Sequence, residues 1–493
     1  MEKTERLSPM DAMMLFFETS TGSSNIMGVF QTEGPMPFDD FVLDFRHRLH
    51  RLPFFQKVIV PVPLNLAHPT WESDPAFDLD RHLHHVELEP PGSDEQLREL
   101  ASEISDVPFD LDRSPWAVYV VNGVAGDRSA IIIKFHHCMS DGIGARNVVS
   151  TIFDLEPAAL STTPVSAPTE APGPIPGPGR RLLAAARDGF GYRGRTGRRR
   201  AVRSSSGPPD GAPRVDAEGV RTLIREFTRA PGLRLSFNVR PSGHVHVAWT
   251  SFNLEEMRAI RAVMGGTVND VLLTIVTKAV EGLATQEGID VEGRSLRIHQ
   301  AADVRAPDRH GEWGNRVAFI PALAPLGEPD LARTLHAISE YTARAKAAGM
   351  RESMDAFIQR LQHTLPAPLL KLALRMRFAD VFRRLARALG LPPTVNLYVT
   401  NIRWPDLTLY AGGRRVLGIK PFAPLLPGVG LTCTALSYGG ALHIGITADR
   451  DTMREVDTLV ELLDQTYEQL RAAARARRTA DGPARRATER TRA

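Results

Sequence analysis

Residues 131–142 read IIIKFHHCMSDG: an apolar run ends in two adjacent histidines, and an aspartate and a glycine follow after three residues. The run Ile131–Ile133 has the composition of a buried strand, and a strand that terminates in so polar a cluster needs a reason. If 131–137 is extended, His136 and His137 point to opposite faces, so only one of them can meet a given cavity. Asp141 lies four residues past His137, where it can turn back towards the imidazole or fix the loop. Gly142 permits a positive φ or a close approach of backbone to substrate. The following IGARNVVSTIF predicts a helix whose N-terminus lies near the cluster and favours negative charge.

Working outward, the 493-residue chain is too long for one ordinary core, and two or more globular parts are expected. Hydrophobic residues make up 43% and charged residues 24%, as in soluble globular proteins. A formal net charge of only +3, with no RRM or zinc-finger signature, argues against nucleic acid as a partner. The two cysteines, Cys138 and Cys433, are too few for a disulfide framework and suit a reducing cytosol. The N-terminal MEKTERLSPMDAMMLFF lacks the pattern of a signal peptide. The long uncharged stretch 421–448 is broken by prolines and glycines, and its LTCTALSY–GG–ALHIGITA predicts a hairpin instead of a span.

Residues 1–160 mix helical patterns with strand-like runs such as WAVYVVNGV. Residues 161–235 form a Pro/Gly/Arg-rich stretch read as a linker, with order returning near 216. Within 236–475, HVHVAWTSF predicts a strand, and LEEMRAIRAVM and TVNDVLLTIVTKAVEGLA predict helices. LLKLALRMRFADVFRRLARALG (369–390) is amphipathic and basic, suited either to the core or to a membrane surface. Residues 476–493 are expected to be a disordered basic tail.

Imidazole titrates near neutrality, so it can take a proton from an attacking hydroxyl and return it to a leaving group. Cys138 and Ser140 are alternative nucleophiles, but neither sits on a recognisable elbow. The histidines of RHLHH (81–85) lack a recognised metal-ligand spacing, so no metal is expected.

HHCMSDG matches the HHxxxDG motif of CoA-dependent acyltransferases and peptide-synthetase condensation domains. Within that superfamily the chain resembles the bacterial wax ester synthase/acyl-CoA:diacylglycerol acyltransferase family. LSPMDAMMLFFE (7–18), TVNDVLL (267–273), GNRVAFIPALAP (314–325), NLYVTNIRWPDLTLYAGG (396–413) and LSYGGALHIGITADRD (436–451) carry the likeness. Two departures stand out: the family's Pro-Leu-Trp is here Pro115-Trp116, and its Ser-Asn-Val-Pro-Gly-Pro is here TNIRWP. Loss of the Pro-Gly turn bears on loop shape and acceptor choice.

The resemblance implies an α/β fold of two chloramphenicol-acetyltransferase-like halves, a pseudo-dimer with a central tunnel. It implies His137 as general base, His136 in support, Asp141 as a structural residue paired with an arginine (Arg305 or Arg51), and Gly142 shaping the loop. Asn269 is the candidate oxyanion donor, and Thr400 and Asn401 are candidate substrate-binding residues. It further implies acyl-CoA as co-substrate with no bound cofactor, and diacylglycerol or a long-chain alcohol as acceptor. A small natural product as acceptor, or a lipid-surface protein with a decayed site, are the competing readings. The expected location is cytoplasmic, peripheral at the inner membrane or lipid droplets, with the basic linker and the 369–390 helix as contacts.

Overall fold

Arg128–His136 is the strand around which the N-terminal half is assembled. All of it except Arg128 is buried, as a strand covered on both faces must be. The computed structural model describes residues 5–18, 22, 24–142, 144–160, 174–187, 215–304, 314–364, 367–377, 388–389, 393–454 and 456–490. In chain order the first half contains β1 (Glu5–Arg6), α1 (Pro9–Phe17), β2 (Asn25–Glu33), α2 (Phe38–Arg48), β3 (Lys57–Val60) and β4 (Thr70–Ser73). β5 (Leu83–Glu87), α3 (Asp94–Asp106), β6 (Trp116–Val124), β7 (Arg128–His136) and α4 (Ala145–Ile152) follow. Ile131, Ile133 and Phe135 pack on one face of β7, and Ala130 and Ile132 pack on the other face against Leu97, Ala101 and Ile104 of α3. Lys134 is also buried on that side. Its Nζ donates to the carbonyls of Ile104 and Val107, at the electronegative end of α3.

A helix spans 178–187 (α5). The second half comprises α6 (Ala217–Arg229), β8 (Val245–Asn253), α7 (Leu254–Met264), α8 (Val268–Gln286), β9 (Ser295–Asp303), β10 (Val317–Pro325), α9 (Leu331–Ala347), α10 (Met350–Thr364) and α11 (Ala367–Arg377). It closes with β11 (Leu397–Ile402), β12 (Tyr410–Ala411), β13 (Arg414–Phe422), β14 (Leu431–Tyr438), β15 (Ala441–Asp449) and α12 (Val456–Arg490). Its sheet runs β10-β9-β11-β14-β15-β8, with α8 as the buried central helix. Thr267 and Asp270 form a capping box that starts α8 where the apolar pattern begins. The Gly439-Gly440 turn joins β14 and β15 as the sequence predicts.

The other large sheet runs β12-β13-β2-β7-β6-β5, so β12 and β13 leave the second half and complete the sheet of the first. β13 pairs with β2 while packing on β14 and β15. The approach is close: a Cβ on Gly445 would lie 1.8 Å from the Pro421 carbonyl oxygen. Lys420 Nζ donates across the same seam to Ser251 Oγ and His443 Nδ1, both at 3.1 Å. The two halves are thus joined by strand exchange as well as by packing.

Two expectations change. The second half begins well inside the stretch read as linker: Val220 and Leu223 of α6 pack against Tyr341 and Met350, and Leu233 and Leu235 enter the main core. The C-terminal segment is helical to Arg490, past the buried Ala474. Of the 369–390 segment, α11 accounts for residues up to Arg377, and most of the rest lies outside the described residues.

Candidate active site

β7 ends at His136, and His137–Met139 form a turn, so the two histidines separate as strand alternation requires. His136 is saturated. Its Nδ1 accepts from the Cys138 N–H at 3.0 Å, which places its proton on Nε2, 3.2 Å from Glu18 Oε2. His137 instead lines a cavity, and its Nδ1 has no partner among the described residues. Burial pushes the pKa of His137 down, opposed by the nearby Asp141 carboxylate, so the ring is neutral and able to accept a proton at neutral pH.

The backbone around His137 is held by both halves. Its N–H donates to Ser24 O at 2.7 Å, and its carbonyl accepts from Asn315 Nδ2 at 2.7 Å. Asn315 also donates twice to Asp11 Oδ1, through N–H and Nδ2–H, each at 2.8 Å. Asp11 Oδ2 meanwhile closes the capping box of α1 on Ser8. Asp141 accepts from the Gly144 N–H and the Arg316 N–H, each at 2.9 Å. A bridge between Ser140 and Gly314 aligns the segment 314–316 with the loop. Pro115 O accepts from the His136 N–H, which gives the Pro-Trp departure a place beside the loop. Asp11, Glu18 and Asn315 lie inside the motif segments quoted above, but their partners are hundreds of residues away or on the far side of a fold that local spacing does not specify.

The cavity has an empty volume of about 1140 Å³, its mouth included. Its walls are largely apolar. Met14, Phe30, Ile133, Phe135 and Val149 come from the first half; Val317, Phe319, Tyr398, Ile402 and Trp404 come from the second. Asp141, Gly142, Thr400 and Thr434 also face it. Thr400 and Thr434 are register partners on the parallel strands β11 and β14, and Thr434 Oγ1 is buried with no partner among the described residues. Gly142 lies close to Ile402: a Cβ there would be 2.7 Å from Ile402 Cδ1, so a larger residue would displace that side chain. Trp404 carries Arg146 over its ring, and the Arg146 guanidinium donates to Arg403 O. The TNIRWP departure therefore forms cavity wall.

Asn401 and Asn269 sit elsewhere. Asn269 Nδ2 donates to Gln300 Oε1 at 2.7 Å, and Asn269 Oδ1 accepts from Asn401 Nδ2 at 3.3 Å. Thr400 and Ala301, paired in register, face the cavity, so their neighbours Asn401 and Gln300 face the α8 side of the sheet. The structure thus brings His137, Asp141, Gly142 and Thr400 together and places Asn269 and Asn401 behind the sheet.

Arg305 lies outside the described residues, and Arg51 is exposed on a short 3-10 turn. Cys138 and Ser140 are buried. Burial raises the Cys138 thiol well above its ordinary range, which leaves it a poor nucleophile. The RHLHH histidines diverge: His82 donates to Trp116 O, His84 stacks on Tyr119, and His85 meets Asn122.

Family models for the wax ester synthase/diacylglycerol acyltransferase catalytic domain and its C-terminal domain match residues 7–272 and 313–471. A Mycobacterium tuberculosis H37Rv protein, provisionally named a diacylglycerol O-acyltransferase, is 28% identical over 488 residues, covering 96% of this chain and 98% of its own. The wax ester synthase/diacylglycerol acyltransferase of Marinobacter aquaeolei VT8 superposes with a TM-score of 0.63 at 20% identity, over 95% of this chain and 99% of that one. A mutant starter condensation domain of rhizomide synthetase, solved with C8-CoA and Leu-SNAC, superposes with a TM-score of 0.52 at 15% identity, over 96% and 94%. These likenesses extend across both halves and the loop between His137 and Gly142.

Proposed function

Since the chain belongs to the wax ester synthase/diacylglycerol acyltransferase family and is an acyl-CoA-dependent acyltransferase, we propose that it makes triacylglycerol from diacylglycerol with His137 as the base. The observation that carries this reading is the pairing of a neutral, cavity-facing imidazole with a large apolar chamber. The chamber's largely apolar walls suit acyl chains.

In the proposed reaction His137 takes the proton of the acceptor hydroxyl as its oxygen attacks the thioester carbonyl. The carbonyl–oxygen bond forms, a tetrahedral oxyanion develops, and its collapse breaks the carbon–sulfur bond. The CoA thiolate leaves and takes up the proton held by His137. Positioned proton removal of this kind contributes about 10²–10⁴-fold. His136, locked to Glu18 and Cys138, supports the loop. Asp141 ties the loop to Arg316.

For the oxyanion, the hydroxyls of Thr400 and Thr434, register partners on β11 and β14, are the proposed donors among those that line the cavity. Asn269 takes a positioning role, bracing through Gln300 and Asn401 the two strands that carry Ala301 and Thr400. Donation by Asn269 to the oxyanion itself would need it to reach past the sheet. Removing an oxyanion donor costs about 10²–10³ in rate, which separates these roles experimentally.

A second reading, wax ester synthesis from a straight-chain alcohol, is favoured by Trp404, a cavity-wall residue where Arg403-Trp404 stands in place of the family's Pro-Gly turn. Product analysis from palmitoyl-CoA offered with dipalmitoylglycerol and hexadecanol in competition tests both. Predominant triacylglycerol is the expected result. Predominant hexadecyl palmitate establishes the second reading, and neither product from folded protein overturns both.

No single helix among the described residues is long and apolar enough to cross a membrane. A lipid acceptor must nevertheless be met at a lipid surface, so peripheral contact with the inner membrane or lipid droplets belongs to the same reading.

A further inference from the structure

The largest side-chain exposure among apolar residues falls at a turn that would ordinarily be polar. Leu64, within the 3-10 turn Pro63–Asn65, is 81% exposed and has φ 56°, a region that non-glycine residues adopt at a steric cost. Asn65 beside it has φ 52°, and Leu66 is 56% exposed. α11 packs against this turn, and Lys371 Nζ donates to Asn65 Oδ1 at 3.1 Å. Leu369 and Leu372, three residues apart on one face of α11, are 51% and 52% exposed. Four leucines therefore surround the Lys371–Asn65 bond, all in water.

The same neighbourhood is basic. Arg181 of α5 donates to Pro61 O at 2.6 Å, which lays α5 beside the turn. Arg180 and Arg187 of α5 are exposed. Exposed leucines beside arginine and lysine are the composition of an interfacial surface on anionic lipid. A second copy of the chain would have to match the same cations with acidic groups, whereas phosphodiester headgroups supply the complementary charge directly. The face is also well placed: α11 packs on α1, Lys371 Nζ lies 5.1 Å over the Phe16 ring, and Met14 of α1 lines the cavity.

We infer that the face formed by Leu64, Leu66, Leu369, Leu372 and the arginines of α5 docks on a bilayer of anionic phospholipid. The leucines enter the acyl layer and the cations meet the headgroups. The inference rests on the reading of the acceptor as a lipid, but its test needs no turnover.

The test is flotation of the full-length chain with vesicles of equal parts phosphatidylglycerol and phosphatidylcholine, and with phosphatidylcholine alone. The variants are L64S/L66S/L369S/L372S and R180E/R187E. The expected result is preference for the anionic vesicles, with binding weakened at least about tenfold in each variant. Release of CoA from butyryl-CoA to a short water-soluble alcohol should stay at the wild-type level, as should the melting temperature. Should the leucine variant not fold, the arginine variant carries the same test. Wild-type protein that ignores anionic vesicles overturns the inference, as do folded variants that bind them unchanged. So does a leucine variant that only converts a dimer into a monomer by light scattering. Vesicle binding that holds while short-chain turnover fails supports the docking face and counts against the acyl-transfer reading alone.

Discussion

The loop His137–Gly142 and the strand β11 face each other across one cavity, and they are held in different ways. The loop is fixed by single bonds from both halves of the chain: Ser24 O and Asn315 on the His137 backbone, and Arg316 N–H on Asp141. β11 is fixed by its neighbours β9 and β14 and by Asn269 behind it, which leaves its cavity-facing side chains free of structural duty. In both regions the bonded polar atoms do the holding. His137 Nδ1 and Thr434 Oγ1 are left unbonded at the cavity. The roles proposed for His137 and Thr434 rest on that division.

The sharpest break of this comparison is H137A, expected to lower kcat for acyl transfer by about 10²–10⁴-fold with little change in melting temperature. T434V keeps the shape of its side chain and removes the hydroxyl. It is expected to lower kcat by up to about 10²-fold while N269A costs about tenfold or less. Equal losses for the two would erase the distinction between the faces of the sheet. N315A strips the side-chain donor from buried Asp11, leaving the backbone N–H, and removes the anchor from the His137 carbonyl. It should reduce stability by about 1–3 kcal/mol in denaturant unfolding, with a fall in kcat at unchanged KM. Because burial lowers the pKa of His137, the acid limb of kcat/KM should fall below 6.5, the ordinary histidine value.

Stability should follow pH in a related way. Burial lowers His68 and His299 to about 4 and His443 to about 3. The unfolded chain therefore binds more protons than the folded one below about 6.5, and stability should decline as pH falls from there towards 4. Thermal melts across that window check the sign. A protein that grows more stable on acidification contradicts it.

Much of this was legible in local patterns. The β7 run and its HHxxxDG turn, the α7 and α8 helices and the β14–β15 hairpin each follow from periodicity and punctuation. Resemblance supplied the two-half fold and the role proposed for His137. The exchange of β12 and β13 into the first sheet was not legible, because an apolar strand does not declare which sheet it joins. The place of Asn269 was not legible for a similar reason: its motif marks the start of α8, but which face of β11 it meets depends on long-range register. The tail is helical to Arg490 where terminal fraying predicts disorder. Asp11 illustrates the general limit. Its capping box with Ser8 can be read from four residues, whereas its bonds to Asn315 span 304 positions.

The most direct test of the central claim is CoA-thiol release from palmitoyl-CoA by purified wild-type protein and H137A, with diacylglycerol, hexadecanol or no acceptor. Release that depends on acceptor and is lost in folded H137A is the expected result. Equal release by the wild type and H137A would contradict a mechanism in which His137 removes the acceptor proton.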